Sequence, residues 1–164
     1  MQSEYRKLLD QYLEAIREFF GGRLASVAVF GSVARGTADK ESDIDVLVIV
    51  ENLPRDIGLR YRETATVYAS VRNREAYKEL RQAGRSGFIS EIFLTPDETR
   101  SHPPILLGVC DDGILLYDRG GFLEGVLNDI RARLRELNAK KVTTPKGYYW
   151  VLKPDAKPLE VVEV

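Results

Sequence analysis

Two short apolar runs constrain this chain more than any other feature. LASVAVF (24–30) and IDVLVIVE (44–51) are of strand length and apolar almost throughout, the pattern of strands buried on both faces. Such a sheet needs cover on two sides, and the remaining sequence supplies it. Tyr5, Leu9, Tyr12, Leu13, Ile16 and Phe20 recur at three- and four-residue steps, predicting a helix over 3–20 with Ser3 as cap and Gly21-Gly22 as its stop. Helical spacing returns over 56–83, with a break near Asn73, and over 122–138, whose stripe from Leu123 to Leu137 is core or a dimer seam. A short helix covers Pro104 to Cys110, and Asp112-Gly113 signals a turn. FISEIFLT (88–95) and ILLYD (114–118) read as further strands, and Thr95 caps a helical turn that begins Pro96-Asp97-Glu98. Helices alternating with strands predict an α/β (α+β) fold, a mixed sheet of four to five strands flanked by helices.

The totals narrow what such a fold can do. The length of 164 residues suits one domain. Residues 1–140 form it, and the extended tail 141–164 packs on it as an edge ribbon, since Pro154 and Pro158 are tolerated there and not in a central strand. A net charge of −1 gives no overall attraction to nucleic acid. Cys110 is the only cysteine, which excludes an internal disulfide and any multi-cysteine zinc site. No apolar run approaches the ~20 residues that span a bilayer, and the N-terminus is amphipathic rather than signal-like, so the expected location is the cytoplasm.

The chemistry concentrates in FGSVARGTADKESDIDVLVIV (30–50). Asp43 and Asp45 stand two apart at the mouth of a strand, so their carboxylates share a face while Ile44 points the other way. Two like charges that close raise each other's pKa unless a cation sits between them. Carboxylate oxygens completed by phosphate oxygens suit Mg²⁺. Gly31 allows a sharp turn and close approach of an anion, and Ser32 adds a hydroxyl. Arg35 either adds donors suited to phosphate or pairs with Glu41 at the surface. These features converge on a metal-bound nucleoside triphosphate set for phosphoryl or nucleotidyl transfer, with two metals able to serve the attacking and leaving oxygens.

Gly31, Ser32, Arg35, Gly36, Ser42, Asp43 and Asp45 together resemble the signature of the nucleotidyltransferase superfamily that includes DNA polymerase beta, in its minimal single-domain form. The resemblance implies a mixed sheet flanked by helices and Mg²⁺-dependent transfer of a nucleoside monophosphate, from ATP, to an acceptor hydroxyl. It places Gly31, Ser32, Arg35 and Ser42 on the nucleotide and Asp43 and Asp45 on the metal. It also calls for a third carboxylate on a neighbouring strand, and Glu91 is the candidate; a one-residue shift of register would put Ser90 there instead. Minimal members work with a separate helical partner, so a partner or a homodimer is implied, and antitoxin-type members can transfer AMP to a tyrosine of the partner toxin. The alternative is a nucleotide-binding or partner-binding module with weak or no turnover, the outcome expected if Glu91 is out of reach.

The remaining candidates read more plainly. Arg60, Arg62, Arg72, Arg74, Arg81 and Arg85 form a solvated face among glutamates, so nucleic acid is possible but not indicated. His102 is a loop residue and Cys110 a small core residue. Tyr148, Tyr149 and Trp150 either pack the tail or stack on a base.

Overall fold

The computed structural model describes residues 1, 3–144, 147–157 and 159–164, so Pro158 lies outside the described residues. Helix α1 (Ser3–Phe20) leads into β1 (Leu24–Phe30), the short α2 (Gly31–Arg35) and β2 (Ile44–Val50). Then come α3 (Ile57–Arg72), α4 (Glu75–Gln82), β3 (Ile89–Leu94), α5 (Pro96–Arg100), α6 (Ile105–Asp112) and β4 (Ile114–Asp118). Helix α7 (Phe122–Glu136) and the strands β5 (Lys140–Thr144) and β6 (Gly147–Val151) complete the order. The long helical span does break beside Asn73, which closes α3.

The main sheet has four strands in the order β3-β2-β1-β4. β1 runs antiparallel to both neighbours, and β2 runs parallel to β3. The sheet is therefore mixed, as expected. β5 and β6 pair only with each other, as a separate two-stranded ribbon. Trp150, Leu152 and Val164 pack from this region onto the core beneath α6 and α7.

The two central strands divide their side chains between two cores, as a period of two requires. On one face Val27, Val29, Ile44, Val46 and Val48 meet Leu8, Tyr12 and Ile16 of α1 and Val67 and Val71 of α3. On the other, Ala28, Phe30, Leu47 and Ile49 meet Leu106 and Val109 of α6 and Leu123, Leu127 and Ile130 of α7. Each large aliphatic side chain fully buried there contributes about 1.5–3 kcal/mol relative to exposure. The stripe of α7 is thus core.

One arginine departs from the expected solvated face. Arg60 is 4% exposed; its guanidinium donates to Pro54 O at 2.6 Å, Phe93 O at 3.0 Å and both Glu98 oxygens at 2.8 Å. Glu98 also closes a capping box with Thr95, so a single carboxylate ties α3 to the start of α5. Four of the others are engaged nearer the surface: Arg74 with Glu14, Arg85 with Glu4, Arg72 over the rings of Tyr68 and Tyr77, and Arg81 with the Arg85 and Ser86 carbonyls.

The Arg60 guanidinium holds the Glu98 carboxyl at about 2, below its ordinary 4.5. A depressed carboxyl stabilises the fold above its unfolded value and loses that contribution as the pH falls through the folded one. Glu98→Gln is expected to lower the urea midpoint at pH 7, with the gap to wild type closing as the pH drops from about 4.5 to about 2. Urea titrations of both proteins across that range check it.

Candidate active site

The parity of β2 decides where its acids stand. Ile44, Val46 and Val48 belong to the α1 face and Leu47 and Ile49 to the α6 face, which puts Asp45 on the α6 side. Asp45 is registered opposite Phe30, the last residue of β1, so its carboxylate meets the Gly31 turn. Gly31 has φ +74°, and a Cβ there would overlap Asp45 Oδ2 and lie 3.3 Å from its Cγ. Glycine is required at this position twice over, for the backbone and for the carboxylate. Gly36, at φ +80°, then ends α2 in a left-handed cap.

Asp43 precedes β2 and accepts a 3.4 Å hydrogen bond from Ser86 Oγ. Burial, then the charge of Asp43, pushes the Asp45 carboxyl up; Arg35 draws it down and Asp112 adds to the rise. Around Asp45 the charges of Asp43 and Asp112 oppose ionisation, and Arg35 favours it. Among the described residues, no group of three or more His, Cys, Asp or Glu is placed to hold a metal ion. Two carboxylates completed by substrate phosphate oxygens are nevertheless the donor set Mg²⁺ takes, and the like charges around Asp45 fit a cation there.

Asp112 belongs to this site and was not among the sequence candidates. It ends α6 with its side chain 7% exposed, paired with Arg35, and its Oδ1 accepts the Gly31 N–H at 2.9 Å. Arg35 thus meets Asp112 rather than Glu41. The available signal was position: Asp111 and Asp112 close a helix, where the dipole disfavours negative charge, so an acid kept there serves another contact.

Glu91 does not join the pair. In the parallel register Asp45 is opposite Ser90 and Val46 opposite Glu91, which turns Glu91 to the α1 face. There it accepts a 2.7 Å hydrogen bond from the Tyr12 hydroxyl, and burial pushes its carboxyl up. Ser90 is the β3 residue on Asp45's face. The Ser42 hydroxyl is engaged with Asp39, donating to Oδ1 at 2.8 Å and accepting the Asp39 N–H at 3.0 Å; it shapes the loop before β2. Burial pushes the Cys110 thiol up to about 11, consistent with a core residue, and His102 sits in a loop against Val164 O.

Residues 9–92, slightly over half the chain, match the family model described as the nucleotidyltransferase domain. The chain belongs to this nucleotidyltransferase family. The candidate protein adenylyltransferase MJ1305 of Methanocaldococcus jannaschii is 30% identical over 132 residues, 79% of this chain and 83% of that protein. The protein adenylyltransferase MntA of Thermococcus cleftensis is 41% identical over 51 residues, 31% of this nucleotidyltransferase and 50% of MntA. A toxin–antitoxin structure solved with AMP-PNP superposes with a TM-score of 0.53 at 16% identity, covering 84% of this chain and 90% of that one. At that identity the likeness speaks for the fold.

Two outcomes follow from the crowding at Gly31. Gly31→Ala is expected to lower the melting temperature, because the new methyl meets the Asp45 carboxylate at a positive φ. Asp45→Asn is expected to raise it at neutral pH in EDTA. A raised carboxyl costs stability as the pH climbs past its ordinary value, so the gain should vanish in strong acid. Thermal melts of the two variants at several pH values check both.

Proposed function

We propose that this nucleotidyltransferase moves AMP from ATP to a hydroxyl of a separate protein, with Mg²⁺ bound by Asp43 and Asp45. The observation that carries the reading is Asp45 set against the Gly31 turn, close enough to Asp43 and Arg35 to feel the charge of both. The names of MJ1305 and MntA support AMP and a protein acceptor. The toxin–antitoxin setting of the similar fold supports a partner encoded apart from this chain, and an antitoxin role toward a tyrosine of that partner is the specific form proposed.

The residues divide the work by position. Asp43 and Asp45 hold the metal, and Ser32 and Arg35 grip the triphosphate beside them. Gly31 leaves room for Asp45, and Asp112 fixes the turn through the Gly31 N–H. Bound Mg²⁺ would supply charge neutralisation at the phosphates and a lowered pKa for the attacking oxygen. In the transfer, the acceptor oxygen bonds to the α-phosphorus, the bond to the β-phosphate oxygen breaks, and pyrophosphate leaves with the hydroxyl proton released. No helix among the described residues is long and apolar enough to cross a membrane.

The turned-away Glu91 favours a second reading, a nucleotide-binding module with little turnover. The two part on one assay: ATP labelled at the α- or the γ-phosphate, with candidate partner proteins as acceptors. The transferase reading expects α-label alone on the acceptor, roughly hundredfold or more weaker labelling in Asp43→Asn and Asp45→Asn, and little change in Glu91→Gln. ATP binding without label would establish the module. Damage by Glu91→Gln equal to that of Asp45→Asn, in a folded variant, would overturn the site as drawn.

A further inference from the structure

A cavity of about 370 Å³ opens beside the Gly31 turn, within the usual range for small-molecule sites. Its lining falls into two groups. Gly31, Arg35 and Asp112 are bonded to one another. The rest is apolar or aromatic: Phe30 of β1, Pro104 with Ile105, Leu107 and Gly108 at α6, and Tyr148, Tyr149 and Trp150 of the ribbon strand β6. A larger cavity of about 540 Å³, under the C-terminal residues, includes none of Gly31, Arg35 and Asp112.

We propose that this aromatic wall seats the nucleobase of the nucleotide whose phosphates lie at Arg35, so that the ribbon completes the substrate site. The inference rests on the nucleotide reading above. Arg35 keeps 39% of its side chain exposed while paired with Asp112, so its remaining N–H donors can meet a phosphate, and the flat aromatic surface beside it suits a planar ring. The wall is held in place. Lys141 Nζ stands 4.0 Å over the Tyr148 ring and pairs with Asp111 at the end of α6. The Tyr148 hydroxyl lies against Gly108, where a Cβ would come to 3.6 Å. Tyr149 is 54% exposed beside this cluster, an open ring on which a base can stack. The buried Trp150 indole N–H finds no acceptor among the described residues, an unmet donor in the same wall.

Trp150 is the only tryptophan, so the indole fluorescence comes from one residue of this wall. Titrations with ATP, adenosine and tripolyphosphate, each with Mg²⁺, should show Trp150 responding to ATP and adenosine and silent to tripolyphosphate. Tyr149→Ala, with Tyr148→Ala as a second variant, should weaken ATP roughly tenfold by calorimetry while leaving tripolyphosphate unchanged. A silent Trp150 with ATP bound, or ATP affinity unchanged in both variants, overturns the base seat and leaves the phosphate site standing. Failure of wild type to bind either ATP or tripolyphosphate overturns the nucleotide reading, and this inference with it.

Discussion

The pairing of Phe30 with Asp45 across β1 and β2 governs the rest of the site. It brings a strand-borne carboxylate against the Cα of Gly31, at the point where the chain leaves the sheet. Both strands are buried on two faces, so a slip of one residue would move every Val, Ile and Leu of β2 to the wrong core. The apolar alternation that stabilises the sheet thereby sets the aim of Asp45. Site and core are specified by the same side chains.

The α6 half of the molecule bears on this face from the other side. Asp112 reaches from the end of α6 to the Gly31 N–H and Arg35, linking the acid face to the helix that covers it. Gly113 follows directly, where a Cβ would lie 2.7 Å from Val109 Cγ1, so the chain turns into β4 at a residue that only glycine fits. The ribbon's Lys141 pairs with the neighbouring Asp111. One helix end thus anchors both the turn and the aromatic wall. Electrostatically the cluster sets two acids, Asp45 and Asp112, around one cation, Arg35, which leaves negative charge in hand for a metal.

The sequence was most readable where period and burial agree. β1, β2, the stripe of α7 and the break at Asn73 follow from side-chain spacing, because each position's face is dictated by a continuous core. The face of Asp45 was legible for the same reason, since it stands inside β2, whereas Asp43 lies just ahead of the strand, where period does not fix a face. β3 was not readable to that level. In ISEIFL, Ser90 and Glu91 are both polar and partly buried, so pattern does not say which faces Asp45; the parallel register does. Arg60 looked like one cation among several on a helix, and only the fold shows that Glu98 reaches it. Asp112 was read as a turn former because its contacts lie about 80 residues away in sequence, beyond anything local spacing reveals.

The acid pair as the metal-bearing face of this nucleotidyltransferase is tested most directly by crystals grown with Mn²⁺ and a non-hydrolysable ATP analogue, read by anomalous scattering. The expected map has its manganese peak between the carboxylates of Asp43 and Asp45, with none beside Glu91, whose side chain stays on Tyr12. A peak held by Glu91, or no peak at the aspartates while the analogue is bound, would contradict it.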